Sequence, residues 1–234
     1  MTDPTPPPVV DPAARLSYSG TGVEDVHPAA PPWAPLVRWY AEAGADPRIA
    51  EPGAMVVATV DAAGRPNART VLLKSLTPQG LDFYTNLRSA KAAEVAATGH
   101  ASLVLLWHPM FRQVRVRGPV VPVGRKDAAA YFASRPRGSQ VAAWASRQSA
   151  PLQSRQQLLD AVARVEDAFP PVGDPPEPLP LPDFWGGLRV LPVEVELWVG
   201  QESRLHDRLV WTTLDGLPAP LDDAAAWTQQ RRQP

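Results

Sequence analysis

Arg204-Leu205-His206-Asp207-Arg208 sets two permanent cations and one titratable ring within five residues. Run as an extended strand, its side chains alternate faces, so Arg204, His206 and Arg208 share one face at steps of about 7 Å. Like charges in such a row repel unless an anion lies across them, and guanidinium forks suit phosphate esters. A solvated edge strand whose charges deter aggregation has the same pattern, so the pentapeptide takes its meaning from the rest of the chain.

Other residues could serve the same chemistry. Arg69 and Lys74 fall on one predicted strand but lie five apart. A regular strand aims such a pair at opposite faces, so bringing them together needs a strand end or a bulge. Tyr84-Thr85-Asn86 closes a strand, and Lys91 comes early in the helix that follows. Such a junction offers free backbone N–H groups and the positive end of a helix dipole. Thr85 and Ser89 add hydroxyls there, although a simple N-cap explains the same residues. Gln113, Arg115 and Arg117 share a strand face opposite Val114 and Val116. The Gln113 amide can pair with a flat heterocycle, while the two arginines read as plain surface residues. Tyr131, Arg135 and Ser139 recur every fourth residue, the spacing of one helical face. Pro136 biases Arg135 out of the helix, so one helix should end there and another begin near Ser139. Phenol, guanidinium and hydroxyl meeting at a helix break make a phosphate clamp, with Gln148-Ser149 close behind. Two sets of phosphate-seeking groups among many aromatics point to two phosphorylated aromatic ligands.

Several classes are excluded. The chain has no cysteine, and its histidines (His27, His100, His108, His206) lack metal-ligand spacing, so no metal is expected. There is no phosphate-binding P-loop, no G-x-G-x-x-G, no H-E-x-x-H and no G-x-S-x-G. A net charge of -1 gives no general attraction to nucleic acid. No apolar run approaches the ~18 residues of a membrane span. Residues 1–12 lack a basic start and an apolar core, so no secretory signal is expected and a cytoplasmic protein is.

The elements that must position these groups follow from the patterning. Of 234 residues, 29 are proline. Residues 1–30 read as a proline-rich N-terminal segment, expected to be disordered. Residues 170–182 read as a stiff proline-rich connector. Helical spacing covers 33–43. Strands are predicted over 54–60, 68–76, 81–85, 101–107 and 111–123, then 188–199 and 208–214. Helices are predicted from Ser89 to about 98, and near 126–134, 139–145 and 153–169. Short strands with helices inserted late indicate a mainly β chain with helices (α+β), an antiparallel barrel or sandwich.

Seven stretches in order resemble the pyridoxamine 5′-phosphate oxidase family, whose fold is an antiparallel FMN-binding split β-barrel. They are Arg69-Thr-Val-Leu-Leu-Lys74, Tyr84-Thr-Asn86, Arg112-Gln-Val-Arg-Val-Arg-Gly118, Tyr131-Phe-Ala-Ser-Arg-Pro-Arg-Gly-Ser-Gln140, Gln148-Ser149, Phe184-Trp-Gly-Gly187 and Arg204-Leu-His-Asp-Arg208. Arg15-Leu-Ser-Tyr18 also resembles the family's N-terminal segment. The resemblance implies one FMN-binding split-barrel domain over 31–234.

It also implies roles. Arg69, Lys91, Gln148 and Ser149 would hold FMN by its phosphate and ribityl chain. Tyr84, Thr85 and Gln113 would position the flavin, and Trp198 and Arg208 would complete its site. Lys74 would bind FMN as well, and would join Tyr131, Arg135 and Ser139 on the substrate phosphate. Arg204 and His206 would flank the pyridine as the catalytic pair. Two subunits would share each FMN, implying a homodimer acting on a small phosphorylated pyridine. The implied reaction oxidises pyridoxamine or pyridoxine 5′-phosphate at C4′ to the aldehyde, with oxygen reduced to hydrogen peroxide.

Ala90 stands where the family usually has arginine. The loss of one charge-assisted hydrogen bond, about 1.5–3 kcal/mol, lowers the expected FMN affinity about tenfold unless Arg88 compensates. Two other readings share the motifs: a phenazine-type flavin oxidase of secondary metabolism, and a non-catalytic protein that binds FMN or pyridoxal phosphate.

Overall fold

The computed structural model describes residues 17–20, 23 and 29–234. Most of the 1–30 segment expected to be disordered, and Arg15 with it, lies outside the described residues.

Helix α1 (Trp33–Ala45) buries Leu36, Trp39 and Ala43 at three- and four-residue intervals, as an amphipathic helix must. Strand β1 (Ala54–Val60) buries Met55, Val57 and Thr59 in strict alternation. A turn leads into β2 (Pro66–Leu72), held by Asp61, whose carboxylate accepts from the Ala63 and Arg65 N–H groups. The strand expected over 68–76 is divided. The Leu73 N–H goes to Gly53 O and the Lys74 N–H to Asp82 O. The chain thus leaves β1 after β2 and begins β3 (Ser75–Thr77), the partner of β4 (Gly80–Asn86). Helix α2 (Ala90–Thr98) ends on Gly99 in the left-handed conformation. Strand β5 (His100–Trp107) and the long β6 (Arg112–Pro122) form a hairpin around a 3-10 turn at His108–Met110.

Strand β6 is the hinge of the architecture. Its first half pairs with β8 (Glu194–Val199), and its last residues pair with β7 (Trp185–Val190). The sheet therefore runs β10-β9-β8-β6-β5-β1-β2, with β7, β4 and β3 curling off β6. The transfer occurs at Gly118, where a Cβ would lie 1.8 Å from Leu191 O, so a side chain does not fit. Residues 188–199, expected as one strand, are two, interrupted at Pro192, which has no N–H to give a ladder. Strand β9 (Asp207–Thr213) pairs with β8 and with β10 (Trp227–Arg231), which sequence patterning did not mark. The enclosed core is aliphatic with Trp39, Phe83, Trp107, Trp211 and Trp227.

Helices α3 (Arg125–Ser134), α4 (Arg137–Ala145) and α5 (Arg155–Ala168) sit beside β4 and β7 over a second core of Phe132, Val141, Leu179 and Trp185. The proline-rich connector is tied to this layer rather than bridging free. Leu179 is buried and its N–H donates to Gln140 Oε1 at 2.7 Å, and the Trp144 indole donates to Pro180 O at 2.9 Å.

Candidate active site

A cavity of about 710 Å³ opens between β2, β4, the start of α2, the α3–α4 break and the 146–149 loop. Arg69, Lys74, Tyr84, Thr85, Lys91, Tyr131, Arg135, Gln148 and Ser149 all line it. The five-residue spacing of Arg69 and Lys74 is resolved by the strand break after Leu72. Among the described residues, four cations and no carboxylate line the cavity, which fits anionic ligands.

The cations differ in how they are held. Lys91, in the first turn of α2, is buried; its ammonium donates to Gln148 Oε1 (2.9 Å), Thr85 Oγ1 (3.1 Å) and Ser89 Oγ (3.4 Å). Burial lowers its pKa, with the Arg69 charge acting the same way. Arg69 donates to Glu94 Oε2 at 2.8 Å, to Val57 O at 3.2 Å and to the Thr59 hydroxyl. Glu94 also accepts from Thr59 and from Asn67. The Thr59 hydrogen bond, followed by those of Asn67 and Arg69, holds its carboxyl below the usual range against burial.

Arg135 follows the last residue of α3 in an extended conformation, as Pro136 requires. Its guanidinium lies 4.9 Å from the Trp185 ring centroid and 5.6 Å from that of Phe132. Its Nη1 is buried with no hydrogen-bond partner. Burial lowers its pKa, partly offset by Tyr131, yet a guanidinium stays charged at neutral pH. Arg135 lines the cavity with no carboxylate partner among the described residues, a guanidinium setting that suits a phosphate oxygen. Tyr84, Tyr131 and Trp185 stack nearly parallel beside it, with centroids 4.2 to 6.0 Å apart. Gly187 makes room for this, since a Cβ there would meet Tyr84 Cε1 at 2.7 Å.

The remaining anticipated residues do not line this cavity. Ser139 lies in the first turn of α4, outside the lining. Gln113, Trp198 and Arg208 form a lateral row across β6, β8 and β9, in register Gln113↔Trp198↔Arg208. His206 packs on Trp198 at 4.7 Å and on Tyr18 at 5.8 Å. Its Nδ1 accepts the Gln201 N–H at 3.0 Å, so in the neutral ring the proton sits on Nε2. The expected extended run from Arg204 to Arg208 fails at its start. Ser203 and Arg204 adopt φ 54 and 64 in a 3-10 turn, and the strand begins only at Asp207. Arg204 is therefore not in alternation with His206 and Arg208.

Sequence reasoning missed three residues. Arg115 is not a plain surface group: half-buried, it pairs with buried Glu194 and Glu196 at 2.7 and 2.5 Å, while Arg117 is exposed as expected and pairs with Glu194 at 2.8 Å. Arg208 adds Nε and Nη2 contacts to Glu196 at 2.8 and 3.2 Å, and donates to Gln233 O at 3.0 Å. The alternation Glu194-Val195-Glu196 opposite Arg115-Val116-Arg117 was the available signal. Glu94 and Trp185 are the other two, and Trp185 before two glycines marked a ring seat. Arg88, expected to replace the arginine missing at Ala90, instead lies 5.1 Å from the Phe184 ring, facing a smaller neighbouring cavity. The Ala90 N–H itself is capped by Ser149 Oγ at 3.1 Å.

A curled antiparallel sheet with a basic, aromatic-walled cavity beside its short strands defines a split-barrel protein. Residues 42–169 match the family model described as pyridoxamine 5′-phosphate oxidase, and residues 185–234 match the pyridoxine 5′-phosphate oxidase C-terminal dimerisation region. The chain belongs to the pyridoxamine 5′-phosphate oxidase family. A pyridoxine/pyridoxamine 5′-phosphate oxidase of Kineococcus radiotolerans is 46% identical over 96% of this chain and 99% of its own. One from Streptomyces avermitilis is 46% identical over 89% of this chain and 92% of its own. Among solved structures, PhzG from Burkholderia lata, in complex with tetrahydrophenazine-1-carboxylic acid, superposes with a TM-score of 0.76. It is 29% identical, covering 89% of this chain and 95% of its own. A pyridoxamine 5′-phosphate oxidase-related, FMN-binding protein of Nostoc punctiforme, 18% identical with a TM-score of 0.63 over 87% of this chain and 98% of its own, shares the fold. Among the described residues, no helix is long and apolar enough to cross a membrane.

Proposed function

We propose that this protein is an FMN-dependent oxidase that converts pyridoxamine or pyridoxine 5′-phosphate to pyridoxal 5′-phosphate, consuming oxygen and releasing hydrogen peroxide. The observation that carries the reading is one cavity lined by Arg69, Lys74, Lys91 and Arg135 with no carboxylate among the described residues that line it. The two-electron redox chemistry between substrate and oxygen would be supplied by FMN held in this cavity.

The chain's own residues bind and orient. Arg69, Lys91, Gln148 and Ser149 hold the FMN phosphate and ribityl chain, with Tyr84 and Thr85 beside the flavin. Their hydroxyl, amide and cationic donors already converge on one cavity, which supports this assignment. Lys74, Tyr131 and Arg135 take the substrate phosphate, with Ser139 behind them. Gln113, Trp198 and Arg208 approach the flavin from a partner subunit, and Arg204 and His206 flank the pyridine from the same side. With Nδ1 accepting the Gln201 N–H, His206 turns Nε2 toward the substrate side as its free ring nitrogen.

A homodimer with FMN at the subunit interface is the assembly this requires, since the two groups of residues do not share a cavity within one protomer. The match of residues 185–234 to a dimerisation region supports it. Residues 31–234 act as one FMN-binding unit. A cytoplasmic setting suits a cysteine-free chain. A phenazine-type oxidase shares the fold, but the unpartnered Arg135 favours a phosphorylated substrate.

The purified protein is expected to be yellow and to take up oxygen on addition of pyridoxamine 5′-phosphate. Stoichiometric binding of the aldehyde without oxygen uptake would instead identify a carrier, and a preparation unable to bind flavin would reject the reading altogether.

A further inference from the structure

We propose that Trp185 is a positioning residue that stands in for a counter-ion at Arg135, and so tunes the site for a phosphate ester. The inference rests on Arg135 receiving the substrate phosphate.

Several half-buried arginines elsewhere in the molecule are neutralised by carboxylates, while Arg137 spends its N–H groups on the Glu177 and Phe169 carbonyls. Arg69 has Glu94, Arg189 has Asp82 at 2.6 Å, Arg115 has Glu194 and Glu196, and Arg208 has Glu196. Arg135 has no ion-pair partner among the described residues, and one terminal nitrogen is buried without any acceptor. What faces its charge is aromatic: Trp185 at 4.9 Å and Phe132 at 5.6 Å. The consequence is geometric. A carboxylate binds a guanidinium along its N–H edge and consumes the donors that a phosphate would need. A ring stabilises the cation through its electron-rich face and leaves the N–H groups unspent. Trp185 thus compensates the charge without competing for it.

The ring is also fixed in place. Trp185 is 5% exposed and stacks within 10° of Tyr84 and 14° of Tyr131, and Phe132 meets it edge-on at 5.0 Å. Its backbone is tied by Arg125 Nη1 donating to Trp185 O at 2.8 Å, and by its own N–H donating to Pro182 O at 3.1 Å. The platform under Arg135 is therefore set before a ligand arrives, which lowers the ordering cost of binding. Tyr131, itself assigned to the phosphate, belongs to the same stack.

The test is steady-state kinetics of the FMN-loaded enzyme with pyridoxamine 5′-phosphate, alongside FMN affinity by flavin fluorescence. Cation–π strength falls from Trp to Tyr to Phe. Trp185→Tyr, Trp185→Phe and Trp185→Leu are therefore expected to raise KM in that order, reaching about tenfold for Leu, with FMN affinity altered less than twofold. In an Arg135→Ala background the Trp185→Phe change should add nothing. A KM within twofold of the parent for both Phe and Leu overturns the proposal. So does an equal rise for Tyr, Phe and Leu, which would mean packing rather than the ring face matters. If the Leu variant does not fold, the Tyr and Phe variants and the Arg135→Ala cycle still decide. If Arg135→Ala itself leaves KM unchanged, it is the phosphate assignment that has failed.

Discussion

The cavity and the outer row of the sheet use arginine in opposite ways. In the row, Arg115 and Arg208 share the buried carboxylate of Glu196, and Arg208 spends a further donor on the Gln233 carbonyl. In the cavity, Arg135 has aromatic faces around it and an orphaned Nη1. The first arrangement fixes direction: a guanidinium held along one edge can present only its remaining N–H groups, in a set orientation. The second keeps binding capacity in reserve, because a guanidinium met by ring faces keeps its N–H edge free of any carboxylate. The row is built to orient and the cavity to capture. Arg69 is intermediate, paired with Glu94 yet part of the cavity lining.

That contrast can be broken or sharpened by mutation. The largest effect is expected at Arg135. Replacement by alanine removes at least one charge-assisted hydrogen bond to phosphate, about 1.5–3 kcal/mol each, so kcat/KM for pyridoxamine 5′-phosphate should fall about a hundredfold while the protein stays yellow. Loss of flavin together with activity would show that Arg135 serves the cofactor instead.

Glu196→Gln should act on stability. It leaves two partly buried guanidinium groups without their shared anion, and about 2–3 kcal/mol of destabilisation is expected in chemical denaturation. The pH dependence gives the sign. Burial, the largest single influence, raises the Glu196 pKa, but the hydrogen bonds from Arg208 and Arg115 and their charges outweigh it and leave the carboxyl below its ordinary value. Its stabilisation is complete above the unfolded-state pKa of about 4.3 and is lost as pH falls through the lower folded value. The parent protein should therefore lose more stability on acidification than the Gln variant. Parallel curves would mean that Glu196 does not hold the row.

The smallest effect belongs to Arg88. Because it stacks on Phe184 outside the main cavity, Arg88→Ala should change FMN affinity less than twofold. A tenfold loss would make it the substitute for the arginine absent at Ala90.

Local chemistry was legible in the sequence wherever one element decides it. Hydrophobic alternation bounded β1, Pro136 split α3 from α4, and the β4–α2 junction brought Thr85 to Lys91. What was not legible depends on partners distant in the chain. The Leu73–Lys74 break exists because Gly53 and Asp82 compete for successive N–H groups, and this break is what lets Lys74 join Arg69. The Arg204–Arg208 stretch reads as regular alternation, but the chain must turn back after Gly200, and positive φ at Ser203 and Arg204 accommodates that reversal. Arg115 read as a surface residue because its carboxylate partners lie about eighty positions away, at Glu194 and Glu196. Trp185 belonged to a recognisable motif, yet its part in the site depends on Arg135 and Tyr131 meeting its ring from another layer.

The central claim is that the cavity of one protomer and the outer row of its partner form a single site. Mixed dimers test it most directly. Arg135→Ala disables the cavity and His206→Ala disables the row, so each homodimer should be nearly inactive. Co-refolding the two variants in equal amounts should restore about a quarter of parental activity, because half the dimers are mixed and each mixed dimer carries one intact site of two. Recovery to that level is the result predicted. No recovery, with mixed dimers shown to form, would place both groups in the same protomer's site and contradict the account.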